Sequence, residues 1–420
     1  MDLSSFRIIS FGCKVNQAEG EALAAHLCAA GLAEAPDDAA ADLLIINTCC
    51  VTAEAARQGR QRIRRAARSG AAVAVTGCDA HSAAGDEALR RIEGVRLVEA
   101  DKRRLVEQLG ARLSLAAMRP ALDRSRALLK IQDGCPGGCT FCIVPLVRPV
   151  VRSLPPAEAA RDLADLVAAG FREVVLCGIH LGLYGADLRP RATLPDLVGR
   201  LLSAPGEFRL RLSSIEPMEV TDALLERMAA EPERVCPHLH VPLQSGDDGV
   251  LVRMGRPYTA AEFLSMTERV RRTLERPAIT ADILVGFPSE TDAAFKRTLA
   301  VCREAGLARI HVFPYSARPG TAAAAMRPQV PAETIRARRA EAAALGEHLA
   351  AAYRASLVET QGRVVVENLG PDGSAEGLSE RYQRVRIVGG LPSNAARRRQ
   401  IVRVHLTRAA GECLEGEVLA

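Results

Sequence analysis

Along the chain, apolar positions gather into short β-branched runs separated by longer amphipathic stretches, and the spacing of these runs changes twice. In the first 118 residues, Arg7–Phe11, Leu43–Asn47 and Val73–Thr76 read as strands and Glu19–Ala30 as a helix. That alternation predicts a parallel, doubly wound α/β unit. Pro120, Asp123 and Ser125 break the pattern between Met118 and Arg126. A longer repeat then predicts strands at Leu128–Gln132, Val174–Cys177, Arg209–Ser213, Leu239–Val241, Ile279–Val285 and Ile310–Phe313. Helices fit between them, at Pro156–Ala169, Asp222–Ala230, Ala260–Leu274 and Thr291–Ala305, and a long one covers Pro331–Ala355. Six strands so connected predict an incomplete (β/α) barrel, with its chemistry in the loops after strand C-termini. After Ser356 only short β-rich pieces remain, Gly362–Glu367, Tyr382–Val388 and Ile401–Leu406, which suit a small β-barrel. The expected organisation is therefore α/β: an open parallel domain over 1–118, a partial barrel over 124–355 and a β-barrel over 356–420.

Composition narrows the chemistry. With 48% apolar and 25% charged residues among 420, the chain is ordinary globular protein. Its apolar runs fall far short of the roughly 18 residues that span a bilayer. No basic n-region leads into an apolar h-region before Cys13, so a soluble, cytoplasmic chain is expected. Twelve cysteines in a reducing compartment do not maintain disulfides, which leaves metal or redox chemistry. Aromatics are only 3%, an argument against broad base-stacking platforms. Only four basic residues are Lys against 51 Arg, which reads as codon-composition bias rather than a use for arginine as such.

The sharpest signal is Cys135-Pro-Gly-Gly-Cys139-Thr-Phe-Cys142, directly after the first barrel strand. Three thiolates at this spacing can hold three irons of a 4Fe-4S cubane and leave the fourth open for a small chelating molecule. Zinc is the alternative, but zinc motifs pair two Cys-x2-Cys units or add His, and no His follows nearby. A second triad emerges at the strand ends of the first unit. Arg7–Phe11 leads to Cys13, Leu43–Asn47 to Cys49 and Val73–Thr76 to Cys78, and such loops converge at the carboxyl edge of an open α/β sheet. The bland reading is three small core residues; the sharper one is a second open cluster. Cys50 is chemically equivalent to its neighbour Cys49. Cys28, Cys177 and Cys302 read as core, and Cys236 and Cys413 are undecided.

The Cys-x3-Cys-x2-Cys loop resembles that of the radical S-adenosylmethionine enzymes. Together with Ser10-Phe-Gly-Cys-Lys-Val-Asn-Gln17, Ile46-Asn-Thr-Cys49 and Thr76-Gly-Cys78, it makes the chain similar over essentially its whole length to the radical methylthiotransferases. Gly12-Cys13-Lys14-Val15-Asn16-Gln17 is most similar to the branch acting on N6-threonylcarbamoyladenosine in tRNA. The isopentenyladenosine branch, a ribosomal-protein aspartate and a non-enzymatic metal-containing RNA-binding protein are the alternatives.

The resemblance implies two 4Fe-4S clusters, S-adenosylmethionine as both radical source and methyl donor, a tRNA anticodon stem-loop as partner, and electron and sulfur donors of unspecified identity. One cluster, on Cys135, Cys139 and Cys142, generates an adenosyl radical, and the other, on Cys13, Cys49 and Cys78, carries the sulfur. Phe141 matches the aromatic that packs near the adenine, with anchoring of the loop as its alternative. Gly178 allows approach of the methionyl group, or is a plain turn. Glu216 after Ser213-Ser-Ile accepts from the ribose, or caps a helix. Gln244 is a rim hydrogen-bonding candidate. Arg152 suits a carboxylate or phosphate, or solvent, and Glu290 suits the first turn of a helix. Pro149 and Leu146 depart from the family's usual glycine and tyrosine. The C-terminal strands are similar to the TRAM domain, a nucleic-acid-binding barrel. Arg57–Arg68 holds six Arg and Arg381–Arg408 eight, neither with an acid, as phosphate contacts require or as solvated faces show.

Overall fold

A computed structural model describes residues 3–36, 39–109, 124–370, 373–391 and 398–419. The chain opens with β1 (Ser5–Ser10), α1 (Lys14–Ala29), β2 (Ala33–Glu34), β3 (Leu43–Thr48), α2 (Ala53–Ala67), β4 (Ala72–Gly77), α3 (Ala83–Arg90), β5 (Val95–Val98) and α4 (Lys102–Gln108). Their strands form one all-parallel sheet in the order β2-β1-β3-β4-β5. Because helices cover both faces, β3 and β4 are apolar almost throughout, and apolar clusters lie on both sides of them. The helix expected from Glu19 starts at Lys14, since Gly12 turns the strand end straight into Cys13 as N-cap. The anticipated break at Met118–Arg126 falls mostly on 110–123, outside the described residues.

The second part contains β6 (Ala127–Lys130), the short ribbon β7 (Gln132–Asp133) and, past α5 (Val144–Val147), β8 (Arg152–Ser153). It continues with α6 (Pro156–Ala168), β9 (Glu173–Cys177), α7 (Leu194–Leu202), β10 (Arg209–Leu212), α8 (Asp222–Ala230), β11 (His238–His240), α9 (Asp248–Met254), α10 (Ala260–Thr273), β12 (Ala278–Val285), α11 (Asp292–Glu304), β13 (Arg309–Pro314), α12 (Ala322–Ala325) and α13 (Ala332–Ala355). Two three-stranded parallel sheets, β10-β9-β6 and β11-β12-β13, are joined by parallel bridges at Leu210–Val235 and Ser214–His240. All six main strands expected from the sequence are therefore present, and they make an open (β/α) barrel around the largest apolar core.

β14 (Gln361–Leu369), β15 (Ala375–Ser379), β16 (Arg384–Val388), β17 (Ile401–Ala410) and β18 (Cys413–Val418) close a five-stranded barrel. β15 and β18 escape a pattern search because each carries a glycine where barrel walls come close. A Cβ at Gly377 would lie 2.1 Å from the Val365 carbonyl oxygen, and one at Gly416 2.9 Å from that of His405. This barrel docks beneath the open one through Arg209 and Arg211 of β10. Both are fully buried on Glu173 of β9, and they donate to the carbonyls of Arg363, Leu378, Ser379 and Glu380. No helix among the described residues is long and apolar enough to cross a membrane.

Candidate functional site

The strand ends of the first sheet approach one another more closely than side chains allow. Gly12 (φ +90) lies so near Cys49 that a Cβ on it would sit 2.6 Å from the Cys49 Sγ. At Gly77 (φ +96) a Cβ would meet the Thr48 carbonyl oxygen at 2.3 Å. Both positions need positive φ and no side chain. Two asparagines of the motifs fasten this edge. Buried Asn16 donates to the carbonyls of Phe11 (2.7 Å) and Thr48 (3.0 Å), and Asn47 donates to that of Asn16 (2.6 Å). Thr48 adds a bond to the Thr76 carbonyl at 2.7 Å.

These loops bring Cys13, Cys49 and Cys78 together, close enough that each thiol acts on the others electrostatically. Cys50 is buried beside them, hydrogen-bonded to Cys78. Burial pushes the Cys49 thiol up to about 11 and also raises Cys13. Cys78 is drawn below its ordinary value by the hydrogen bond from Cys50, against burial, with Arg148 assisting. Cys49 interacts electrostatically with both other members of the triad, and Cys50 with Cys78, Cys49 and Asp79.

The loop triad is held differently. Cys135 Sγ is 3.3 Å from His180 Nδ1, whose Nε2 lies 2.6 Å from Glu219. Burial raises the Cys135 thiol, but the bonds from His180 and the Gly137 N–H overcome this and leave it below its ordinary value. Burial takes Cys142 up to about 12. Arg256 donates to Cys139 Sγ at 3.1 Å and pairs with Glu216. The loop is clasped by Thr140 N–H to the Met254 carbonyl and Ala323 N–H to that of Thr140, each 2.9 Å.

The two triads share a wall. Ile143 and Val147, just after the loop triad, pack on Cys50 and Cys78. Arg148 Nε points at Cys78 Sγ from 3.4 Å while its terminal nitrogens bind Glu19 (2.7 and 2.9 Å) and Asp133 (2.9 and 3.0 Å). Glu19 also binds Lys102 (2.7 Å) and Lys130 (2.5 Å). Burial acts against its charge, and these cations outweigh it, holding Glu19 well below the usual carboxylate range. Sequence reasoning missed Arg148, Arg256, His180 and Glu19. The partners that give them meaning lie 15 to 129 residues away, beyond any local pattern.

Among the described residues no three His, Cys, Asp or Glu side chains are grouped tightly enough to hold a single metal ion. The donor sets fit the larger iron-sulfur cubane. Each is three thiols without a carboxylate, burial makes the bare thiolates costly, and a guanidinium already donates to one sulfur of each set.

Other expected residues are placed as follows. Phe141 is edge-on to Phe287 at 6.5 Å, the contact of an anchored loop. Glu216 sits at the rim on Arg256. Gly178 lies under Gln132, whose Oε1 a Cβ there would meet at 2.9 Å. Gln244 adopts φ 61 between β11 and β12. Glu290 is not in a helix first turn: it precedes the N-cap Thr291, accepts from the Gly286 N–H at 2.7 Å and pairs with Arg338 at 2.7 Å. Arg152 is exposed on β8. Cys177, Cys236 and Cys302 are core, but Cys28 is exposed, because it lies past the last buried position of α1, Leu27.

Part of the acid-free Arg381–Arg408 run meets acids from elsewhere in the fold: Arg386 and Arg408 pair with Glu415, and Arg403 with Glu233.

Cys13, Gly178 and Ser213 open onto a cavity of about 910 Å³ where the first sheet, the open barrel and the small barrel meet.

An open parallel barrel with a three-cysteine loop at its mouth defines a radical S-adenosylmethionine enzyme, and residues 129–302 match the Radical SAM superfamily. Residues 5–99 match the uncharacterized protein family UPF0004. The threonylcarbamoyladenosine tRNA methylthiotransferase MtaB of Thermotoga maritima is 34% identical, over 92% of this chain and 92% of its own. The tRNA-2-methylthio-N(6)-dimethylallyladenosine synthase of Acidothermus cellulolyticus is 36% identical, over 98% and 87%. The fold is shared with the radical S-adenosylmethionine methyltransferase TsrM of Kitasatospora setae, at TM-score 0.56 and 13% identity over 77% of each chain. The chain belongs to the radical S-adenosylmethionine methylthiotransferase family. A 4Fe-4S cluster and S-adenosylmethionine go with that family, and the non-enzymatic reading is set aside.

Proposed function

We propose that this enzyme methylthiolates C2 of N6-threonylcarbamoyladenosine beside the anticodon of tRNA, in the cytoplasm. In this reading Cys135, Cys139 and Cys142 hold the first cluster, Cys13, Cys49 and Cys78 a second, and the closed C-terminal barrel grips the anticodon stem. When bound, the two clusters and S-adenosylmethionine supply radical C–H abstraction and the sulfur and methyl groups. The chain's own residues set the stage. His180 and Arg256 donate to the sulfurs of the loop triad and Arg148 to Cys78, which favours the thiolate forms. Packing of Ile143 and Val147 on Cys50 and Cys78 keeps solvent from between the two sites.

The observation that carries the reading is this shared wall, beside a cavity sized for a nucleoside onto which Cys13 of the strand-end triad and Gly178 and Ser213 of the open barrel's rim open. The similar identity to a dimethylallyladenosine synthase supports the isopentenyl substrate as a second reading. Mass spectrometry of tRNA nucleosides from cells lacking the chain tests both. Loss of the 2-methylthio-threonylcarbamoyl nucleoside is expected; loss of the isopentenyl product instead, or of neither, overturns the proposal.

A further inference from the structure

The cavity has one wall with more charge and unspent hydrogen-bonding capacity than an apolar ligand could satisfy. On it, His240 sits between Asp282 (3.1 Å) and Thr280 (2.9 Å), and His311 meets its ring edge-on at 5.5 Å. The Ser213 hydroxyl and His238 Nδ1, in side chains at least nine-tenths buried, have no hydrogen-bond partner among the described residues. Two cations line the same space, Lys14 from the first sheet and Arg309 from β13, and neither makes a hydrogen bond or ion pair among the described residues. Their neighbours are committed, Arg126 to Glu367 at 3.0 Å and Arg211 to Glu173 at 2.7 Å. Lysine is itself informative in a chain with 51 Arg and four Lys. Lys102 and Lys130 both bind Glu19 at this domain junction, so three of the four lysines lie at it.

Resting on the threonylcarbamoyl reading, we propose that Lys14 and Arg309 bind the threonyl carboxylate of the target nucleoside, with the His240–Asp282 pair at its ureido and hydroxyl groups. A carboxylate between two cations gains charge-assisted bonds and relieves their mutual repulsion. A dimethylallyl group would desolvate the same cations and return nothing, so this wall selects between the two substrates. The methionyl end of S-adenosylmethionine also carries a carboxylate, and the test separates the two sources.

The full-length protein is titrated, without S-adenosylmethionine, against fluorescent anticodon stem-loops identical except at the target adenosine. Wild type is expected to bind the threonylcarbamoyl form about ten- to hundredfold more tightly than the unmodified form. Converting the side-chain carboxylate to an amide removes that preference. Lys14→Gln and Arg309→Gln each cut the ratio several-fold, and two variants on separate elements guard against one failing to fold. If wild type shows no preference for the threonylcarbamoyl RNA, or prefers the dimethylallyl one, the substrate reading itself fails. If wild type discriminates and both variants keep the full ratio, or weaken both RNAs equally, only the assignment of this wall fails. Loss of S-adenosylmethionine affinity in the variants, with the RNA ratio intact, gives these cations to the nucleotide and also overturns it.

Discussion

The two cysteine triads solve one problem by opposite means. Cys135, Cys139 and Cys142 lie on eight consecutive residues, so chain connectivity alone keeps the sulfurs near one another. Cys13, Cys49 and Cys78 come from three strands and depend on a parallel sheet being in register, with its ends pressed together at Gly12 and Gly77. A local triad demands little of the fold around it. A distributed triad makes the fold part of the ligand, and the Asn16–Asn47 exchange and the Thr48–Thr76 bond show what holding three strand ends requires. The difference predicts that backbone changes at the strand ends damage the distributed site and spare the local one.

The largest effect is expected at Gly77. Alanine there combines a left-handed φ of +96 with a Cβ 2.3 Å from the Thr48 carbonyl oxygen and 2.5 Å from its nitrogen, and backbone atoms of a central strand have nowhere to go. On the two-cluster reading proposed above, wild type reconstituted without oxygen should carry about eight irons per chain, and Gly77→Ala should displace Cys78 and leave about four. Methylthiolation is lost, while the electron paramagnetic resonance signal of the loop-bound cluster persists. Iron retained in full would mean that the strand ends yield, and the contrast between the triads would collapse.

The same contrast explains what could be read from the sequence. The loop triad was legible as spacing. The distributed one was legible because three strand runs each ended in a cysteine, which places the residues before any distance is known. Arg148 and Arg256 were not legible. Each is one arginine among 51, and their meaning comes from Glu19, Asp133 and Glu216, which only the folded chain brings near. The arginine-rich C-terminal run misled in the opposite direction. Free of acids in sequence, it is partly neutralised in space, Arg403 by Glu233 and Arg386 and Arg408 by Glu415. β15 and β18 were hidden by glycines whose reason is close packing across the small barrel.

A middle-sized effect calibrates the comparison, because it acts far from both triads. Glu173 is fully buried between Arg209 and Arg211, which together tie the open barrel to the small one. Glu173→Gln leaves two buried guanidiniums short of a counter-charge and should cost about 3–5 kcal/mol in urea unfolding. Burial works to raise the Glu173 carboxyl, yet the guanidiniums of Arg211 and Arg209 prevail and hold it at about 2. Since the folded value lies below the unfolded one of about 4.3, the stabilisation is complete above that pH and drains away as pH falls toward 2. Wild type should lose about 3 kcal/mol across this window on that account, and Glu173→Gln should lack that part of the acid sensitivity. Iron lost equally from both triads in this variant marks global unfolding, and so identifies what the selective loss in Gly77→Ala must differ from.

The smallest effect is expected inside the local triad, at Gly138. It stands directly before Cys139, yet a Cβ there has no atom within 4 Å, and its φ lies outside the left-handed region. Gly138→Ala therefore adds a methyl group to open space and removes only some freedom of the unfolded chain, a change of about 0.5 kcal/mol or less in either direction. Iron content, the loop cluster's spectrum and the rate of S-adenosylmethionine cleavage should match wild type. A glycine one residue from a ligand is then dispensable while Gly77, also one residue from a ligand, is not, because one precedes a sulfur held by a loop and the other a sulfur held by a sheet. Loss of the loop cluster in Gly138→Ala would show that its backbone is as tightly specified as the strand ends, and that spacing along the chain does not by itself secure the site.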